Sequence, residues 1–287
     1  MKILLFLSVF YLSHAWADWT VTSYNIRNFD RDYQAGSTNV IELEKLIKEF
    51  KSDVMGFVEV VNPVAFKALM AKTLPGYRYN IANCGGGGRQ KLAVAYNPEK
   101  FDFINAEEDL TFSGVSNGCG SLRPVLLVTL KLKENGKKYI FANVHLKAGG
   151  SPEAMKQRWK QYDKLQLLMR KYQKENLILL GDFNTTGYNI KDEDFEAFDK
   201  LLTVSKQKTL SEGIGCTSYW TGTLENGQHQ SSILDHVVVS ESMHRSVQEV
   251  FVGAHCAKVD CAPALPEELG VTYEKVSDHC PLQVNFR

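Results

Sequence analysis

A short aliphatic run that ends in polar residues lies in the middle of the sequence. Residues 177–180 are aliphatic, Gly181 stops the run, and Asp182 and Asn184 follow, in the stretch LILLGDFN. Four consecutive aliphatic residues are typical of a strand that is buried on both faces of a sheet. The polar residues then project from the carboxyl end of that strand, where active sites of α/β proteins lie. An ordinary turn after a strand explains Asp-Phe-Asn as well as an active site does. The other motifs of the chain are therefore needed to decide between these two interpretations.

That remainder alternates strand-like and helical patterns up to residue 76 and is richer in strands afterwards. Apolar periodicity predicts strands at 19–24, 54–58, 77–82, 92–96, 125–133, 139–144 and 237–239, and a last strand that ends at Phe286. It predicts helices at 39–51, 63–74, 152–172 and 192–202. Asn135 and Gly136 indicate a hairpin between two of the strands. Residues 240–275 are interpreted as a surface excursion.

Two α/β halves of this kind predict a single domain over residues 18–287. We expect a four-layered α/β sandwich, in which two packed mixed β-sheets are flanked by helices. No linker-like stretch interrupts the chain, and its 44% of hydrophobic residues suffice for one large core.

Several of the predicted strands begin or end in polar side chains. Asn25 follows the first strand, Glu59 the second, and His145 a later one, while Asp235 and His236 precede the strand at 237–239. A carboxylate at the end of an apolar strand is costly unless it reaches solvent, a cation or a metal. His236 alternates with Asp235 and therefore faces away from it, which predicts a structural role.

The predicted helix at 152–172 carries Lys156, Lys160 and Lys164 at four-residue spacing. This spacing places three cations on one helix face. A solvated helix surface is favoured over a nucleic-acid track, because the helix leads away from the strand ends.

The amino-terminal residues read as a secretory signal peptide over 1–17. An apolar run at 3–12 follows Lys2, and Ala15 and Ala17 offer small residues for cleavage near Ala17. The run is too short to span about 30 Å of hydrocarbon, so we expect a secreted or periplasmic protein without stable membrane insertion. The 33 basic residues balance the 33 acidic ones. An anionic substrate would therefore be held by local cations or a metal.

All six cysteines follow the predicted leader, and an even number in an exported protein favours disulfides. Six cysteines allow about 15 pairings. Cys256 and Cys261 are close enough for a small-loop bridge, Cys84 and Cys119 would tie two Gly-rich loops, and Cys216 would then pair with Cys280. A zinc site competes with this interpretation, but the chain has no Cys-x-x-Cys spacing.

Six ordered motifs resemble a known family. SYNIRNF, GFVEV, NVHLKAGG, GDFN, LDHVVVS and SDHCPL occur in the order that is typical of the endonuclease/exonuclease/phosphatase superfamily, and of its secreted deoxyribonuclease I-like nucleases in particular. The resemblance implies metal-dependent hydrolysis of phosphodiester bonds. It also implies a divalent cofactor with hard oxygen ligands, for which Mg²⁺ is expected and Mn²⁺ or Ca²⁺ remain open.

The resemblance assigns roles to ten residues. It implies a metal held by Glu59, with Asn25 and Asp278 near it. His145 and His279 would flank the scissile phosphate, and Asp235 would hold His279. The remaining four are Asp182 and Asn184, which would orient the attacking water and bind the phosphoryl oxygen, and Arg27 and Arg123, which would contact substrate phosphates.

One position departs from the family pattern. Deoxyribonuclease I-like enzymes support the first histidine with a glutamate, and the best match here is Gln90. An amide at this position would orient His145 by a hydrogen bond but would stabilise an imidazolium less than a carboxylate does.

The function expected from these residues is an exported, metal-dependent nuclease that acts as a monomer on nucleic acid, with DNA as the substrate. Two alternatives stay open, namely a secreted phospholipid phosphodiesterase of the sphingomyelinase kind and an RNA-cleaving member. A lipid-directed enzyme would carry an exposed aromatic hairpin, whereas the predicted hairpin at 133–137 is polar.

Overall fold

A computed structural model describes residues 19–30, 38–115, 118–222, 224 and 226–287. The predicted signal peptide, residues 1–17, lies outside the described residues. The strands are β1 (Trp19–Phe29), β2 (Val54–Val60), β3 (Arg78–Ile81), β4 (Lys91–Tyr96), β5 (Phe101–Asp109), β6 (Val125–Leu132), β7 (Lys138–His145), β8 (Asn176–Asp182), β9 (Gln207–Thr209), β10 (Ser218–Trp220), β11 (Gln230–Ser232), β12 (Asp235–Ser240), β13 (Val247–Val252) and β14 (Leu282–Phe286).

The helices lie between the strands and mostly outside the sheets. They are α1 (Val40–Glu49), α2 (Pro63–Thr73), α3 (Pro152–Lys171), α4 (Glu193–Ser205), α5 (Glu241–His244), α6 (Ala254–Lys258), α7 (Pro266–Leu269) and α8 (Val271–Lys275), with a 3-10 turn at Leu110–Ser113. Within the described ranges, no helix combines the length and apolar character that crossing a bilayer requires.

Two mixed six-stranded sheets form the centre of the molecule. The first has the strand order β13-β14-β1-β2-β4-β3, and the second β5-β6-β7-β8-β12-β9. β1 pairs with β2 in parallel, and β7 pairs with β8 in parallel, while the other neighbours in both sheets run antiparallel. β10 and β11 form a separate ribbon.

Apolar side chains fill three interfaces between four layers. Val94 and Leu180 belong to the layer between the two sheets, where the inner faces of the strands meet. Leu165 of α3 packs on the outer face of the second sheet, and Leu43 of α1 packs on the outer face of the first. The predicted four-layered α/β sandwich is therefore confirmed.

A buried amide joins the two sheets. Asn143 of β7 donates from Nδ2 to Phe57 O at 2.9 Å and to Ala93 O at 3.0 Å, both in the first sheet. Next to this contact a Cβ on Gly56 would lie 2.5 Å from Leu180 Cδ1, so only glycine permits the approach. An unpaired backbone carbonyl is costly when buried, and Asn143 satisfies two of them.

The prediction of a surface excursion at 240–275 is wrong. This segment contains β13, which pairs with β14 as the edge strand of the first sheet, and four short helices. β13 is only half-buried and mixes Gln248 and Glu249 with valines, so its alternation is weak in the sequence. The same weakness hides β5, whose middle residues are exposed. The hairpin at Asn135 and Gly136 is confirmed, since β6 and β7 pair antiparallel across it.

Three disulfides are present, and two of the predicted pairings are wrong. Cys84 pairs with Cys119 as predicted. Cys216 pairs with Cys261, and Cys256 pairs with Cys280, instead of the predicted Cys256–Cys261 and Cys216–Cys280 bridges. Helix α6 buries Cys256 toward the loop before β14, whereas Cys261 follows the helix in a left-handed conformation. The Cys261 sulfur therefore reaches Cys216, in the loop before β10, rather than its near neighbour in sequence.

Candidate active site

Three polar residues lie side by side at one edge of the second sheet. His145 is the last residue of β7, Asp182 is the last of β8, and Asp235 is the first of β12. His145 and Asp235 both lie opposite Asp182 in the strand register. Residues that are paired in register point to the same face of a sheet. All three side chains are consequently buried together at this edge.

The first sheet contributes Asn25 and Glu59 to the same place. Asn25 Nδ2 donates to Glu59 Oε1 at 3.3 Å and to Asp182 Oδ2 at 3.1 Å, so it connects the sheets directly at the site. The ladder between β1 and β2 shifts register after Asn25, and Glu59 has a φ of 67°. A left-handed conformation costs about 1–3 kcal/mol in a non-glycine residue and persists where the surroundings enforce it. Here Asn28 N donates to Glu59 Oε2 at 2.8 Å and holds the carboxylate in position.

His279 approaches from the loop before β14 and pairs with Asp235. Its Nδ1 donates to Asp235 Oδ2 at 2.6 Å, and both side chains are buried. Thr217 lies between the two segments, since its Oγ1 accepts from Asp235 N at 2.9 Å and its carbonyl accepts from Cys280 N, next to His279, at 2.8 Å. These bonds connect the start of β12 to the loop that carries His279.

The turn after β8 shapes the carboxylate at its end. Gly181 has a φ of 124°, and a Cβ at this position would lie 2.1 Å from Val144 O, so the turn requires glycine. Asn184 N then donates to Asp182 Oδ1 at 2.8 Å, and Asn184 Nδ2 donates to Leu146 O at 3.2 Å. The amide of Asn184 is thereby fixed beside Asp182.

The burial of these groups sets their charges. Burial raises the pKa of Asp182 to about 7, an effect that the His279 cation opposes and the Asp235 and Glu59 carboxylates increase. Burial lowers the pKa of His145 well below its usual value, and the positive charges of Arg123 and His279 add to this effect. Burial alone would also lower the pKa of His279, but the Asp235 carboxylate raises it well above the ordinary value. His145 is therefore neutral near pH 7, and His279 is a cation.

Gln90 does not reach His145. Its Nε2 donates to Asn28 Oδ1 at 3.0 Å, and His145 Nδ1 is buried without a hydrogen-bond partner among the described residues. His145 Nε2 lies 3.7 Å from both Glu59 Oε1 and Asp182 Oδ2, which is too long for a hydrogen bond. Gln90, where the family pattern has a glutamate, thus binds Asn28 and gives His145 no hydrogen bond.

The two arginines and Asp278 lie around this cluster. Arg123 is buried and donates from an Nη to Leu146 O at 2.6 Å, while its Nε has no partner in the described ranges. Arg27 is partly exposed, donates to Glu274 O at 2.7 Å and lies 4.0 Å from Asp278 Oδ1. Asp278 points toward Arg27 and does not join the clustered donor atoms of Glu59, His145 and Asp182.

The donor atoms fit a divalent cation. One oxygen from each of Glu59 and Asp182 and a nitrogen of His145 lie within 4.8 Å of one another. Glu59, Asp182 and Asp235 bring three carboxyl groups to this region, beside the cations of His279 and Arg123. Carboxylate and amide oxygens are the ligands that Mg²⁺ prefers, and a small protein ligand set leaves positions for water and a phosphate. Asn25 turns its Nδ2 toward both carboxylates, while its Oδ1 accepts from Arg27 N at 3.0 Å, so this amide positions the two carboxylates.

His236 lies on the opposite face of β12, as predicted, and takes no part in the cluster. Its Nδ1 and Nε2 each lie 3.0 Å from a threonine hydroxyl, on Thr209 and Thr185 respectively. The ring packs against Phe183 and Phe198 and is fully buried. Burial lowers the pKa of His236 to about 3, with a smaller contribution from Lys191.

This burial predicts a loss of stability in acid. Because the unfolded histidine titrates near pH 6.5 and the folded one near 3, the unfolded chain binds an extra proton between these values. Binding of this proton by the unfolded chain lowers the free energy of unfolding by about 2–3 kcal/mol at pH 4.5. Urea unfolding at pH 7.0 and 4.5 should therefore show a smaller acid-induced loss for His236→Gln than for the unchanged protein. The exposed His244→Gln is the control, and equal losses in both variants would contradict the prediction.

Several supporting residues escape sequence reasoning. Ser277 Oγ donates to Asn25 O at 2.7 Å and accepts from His279 N at 3.0 Å, so it connects the two sides of the site. Arg158 is fully buried in α3, pairs with Asp194 Oδ2 at 2.7 Å, and donates to Lys147 O in the loop after His145. Ser277 could have been found from the sequence, because it lies beside Asp278 and His279. Arg158 could not, because helical spacing does not distinguish it from other residues of α3.

Comparisons with known proteins bear on the family and the fold of the chain. A model of the endonuclease/exonuclease/phosphatase family matches residues 22–279. No curated protein sequence matches the chain significantly.

Solved structures share the fold at low sequence identity. A Bacteroides thetaiotaomicron protein of the same family is 21% identical with a TM-score of 0.62, covering 93% of this chain and 96% of its own. A mannosyl-6-phosphatase of that organism is 20% identical with a TM-score of 0.61, covering 94% and 99%. A Neisseria 3′ phosphatase bound to a product DNA hairpin is 16% identical with a TM-score of 0.63, covering 94% and 99%. At these identities the likeness concerns the fold alone.

Proposed function

Because the chain belongs to the endonuclease/exonuclease/phosphatase family, we propose that it is an exported, divalent-metal-dependent nuclease that hydrolyses phosphodiester bonds in DNA. The observation that carries this proposal is the meeting of the Asn25–Glu59 pair with Asp182, neutral His145 and the His279–Asp235 pair at one edge of the two sheets. This set combines oxygen donors, a carboxylate with a raised pKa and a fixed cation.

The roles proposed for the chain's own residues follow from their charges. Asp182 would orient the attacking water and accept its proton, since its pKa of about 7 makes it a stronger base than an ordinary carboxylate. His279, kept cationic by Asp235, would stabilise the negative charge that develops on the phosphoryl oxygens. Asn184 would donate its second amide hydrogen to the same oxygens, since the first is bound by Leu146 O, and neutral His145 would hydrogen-bond the phosphate from the other side.

Glu59 would hold a divalent cation, and Asn25 would position its carboxylate through the hydrogen bond from Nδ2 to Oε1. When bound, such an ion supplies positive charge against the phosphoryl group without a proton transfer. Arg123 adds a second fixed charge behind the site, and its unpartnered Nε in the described chain leaves a donor for a substrate phosphate.

Export and DNA as the substrate rest on separate observations. Three disulfides are typical of chains that fold in an oxidising compartment, and the apolar leader at 3–12 agrees with secretion. The Neisseria 3′ phosphatase, bound to a DNA product, has the same fold. The tip of the β6–β7 hairpin is polar rather than aromatic, which argues against a phospholipid substrate in a membrane.

The test is a cleavage assay with the disulfide-intact protein. Supercoiled plasmid, linear duplex, single-stranded DNA and RNA are incubated with Mg²⁺, Mn²⁺ or a chelator, beside phosphocholine liposomes and a phosphomonoester. We expect metal-dependent nicking of the plasmid, and Glu59→Gln should raise the Mg²⁺ concentration for half-maximal rate at least about tenfold. Cleavage that survives chelation would contradict the metal role. Hydrolysis of the liposomes, of the phosphomonoester or of RNA, without cleavage of DNA, would contradict DNA as the substrate.

A further inference from the structure

A groove beside the site has basic and polar walls. It holds about 620 Å³, within the range of about 300–1,000 Å³ that is common for ligand sites. One wall is the middle of α3, and the other, called the loop wall, is formed by residues 111–115 and 121–122. The lining residues are Thr111, Gly114, Val115, Ser121, Leu122, Gln157, Lys160, Gln161 and Lys164.

Both walls are attached to the segment that follows His145. On the helix wall, Gln161 Oε1 accepts from Lys147 N at 2.8 Å. On the loop wall, Leu122 is followed by Arg123, which donates to Leu146 O. Two residues of chain span at most about 7 Å, so the groove begins beside the strand ends that form the site.

The loop wall is held in place by local bonds. Cys119 is tied to Cys84 by a disulfide, and Ser121 O accepts from Gly87 N at 3.0 Å. At the far end, Lys164 donates to Thr111 O and closes the two walls together. A groove with fixed walls is pre-organised for a ligand.

The charge of the groove has one sign. Lys160 and Lys164 are the charged side chains that line it, and no carboxylate does so among the described residues. Lys160 is exposed and has no ion pair in the described chain, while Lys164 lies over the Phe112 ring and is half-buried. Lys156, on the same helix face, is exposed but lies outside the groove. The three lysines of this face are thus not equivalent.

We propose that this groove binds the part of a phosphodiester chain that continues beyond the scissile phosphate, with Lys160 contacting a backbone phosphate. This inference rests on the proposed function and narrows it to polymeric nucleic acid, because a small phosphoester would not extend from the site into the groove. The pairing of lysine with phosphate carries no sequence information, so the contact adds affinity for any sequence.

Lys160→Gln, beside Lys156→Gln as a matched control, tests the groove. The substrates are a labelled 20-nucleotide single strand and the small diester bis(p-nitrophenyl) phosphate. Losing one phosphate contact should weaken binding of the 20-mer about eightfold at 50 mM salt and reduce the slope of log affinity against log salt by about 0.7. The KM for the 20-mer should rise for Lys160→Gln, while kcat on the small diester stays unchanged.

Affinity is measured by anisotropy with a chelator present, so binding and cleavage are separate readouts. Equal behaviour of the Lys160 and Lys156 variants on the 20-mer would overturn the groove and leave the nuclease proposal standing. A protein that binds the 20-mer through Lys160 but cleaves no nucleic acid would overturn the function and support the groove. Competition by inorganic pyrophosphate as strong as by the 20-mer would indicate a small-anion site and contradict the proposal.

Discussion

Asp182→Asn is expected to lower kcat for phosphodiester cleavage by about 10³-fold, within the range found for a general base. Asp182 is the residue where both halves of the site meet, since it accepts from Asn25 and Asn184 and lies 3.8 Å from His279 Nε2. The amide has nearly the same shape but cannot accept a proton. The measurement is steady-state cleavage of DNA at saturating Mg²⁺.

The same change should not destabilise the fold. The raised pKa of Asp182 means that burial disfavours its charged form, so replacing the carboxylate by a neutral amide removes an unfavourable charge. The amide oxygen can accept from only one of the two donors, Asn25 Nδ2 or Asn184 N, and this loss offsets the gain, so we expect a melting temperature close to that of the unchanged protein. Asp163→Asn, on an exposed position of α3, is the control and should change neither quantity. A fall in kcat accompanied by a lower melting temperature would indicate damage to the fold rather than loss of the base.

Removing the Cys256–Cys280 disulfide is expected to lower both stability and activity. The bridge closes a segment with a sequence separation of 24. The chain-entropy relation then gives a loss of about 3.5 kcal/mol of unfolding free energy. Cys280 is also the neighbour of His279, so the double change Cys256→Ala with Cys280→Ala should release the loop that orients this ring. Urea unfolding and kcat on bis(p-nitrophenyl) phosphate measure the two effects.

The Cys84–Cys119 disulfide provides the control. Its sequence separation of 35 gives a loss of about 4 kcal/mol by the same relation, but its sulfurs hold the loop beside the groove and not His279. Replacing this pair by alanines should cost similar stability while kcat on the small diester is retained. Equal losses of kcat in both double variants would show that activity follows global stability rather than the His279 loop.

The strand-end residues were predictable because each follows or precedes an apolar run, and parallel or register-paired strands bring their ends together. Asp182 and His145 are the plainest cases, since a doubly buried strand has an unmistakable aliphatic sequence. The fold class follows from the same alternation. β5 and β13 were missed because edge strands that are half-exposed carry charged residues and lose the period on which such predictions depend.

Side-chain partners were not predictable in the same way. Gln90 was matched to His145 by its place in the chain, but the left-handed conformation of Asn28 turns that residue toward Gln90. The pairing of Cys256 with Cys280 depends on where α6 sits relative to β14, which short sequence separation does not reveal. Arg158 and Asp194 form a buried pair between two helices, and nothing in their local sequences indicates it.

The place of β14 in the first sheet has a consequence for biosynthesis. β14 lies between β13 and β1, with Phe286 opposite Trp19, so this sheet pairs two strands that are far apart in the sequence. A nascent chain that has reached residue 270 contains Asp182 but neither His279 nor the strand that covers β1. Non-local pairing of this kind forms late in folding. The candidate site is therefore complete only in a chain that includes the sequence through β14, which carries His279 into place.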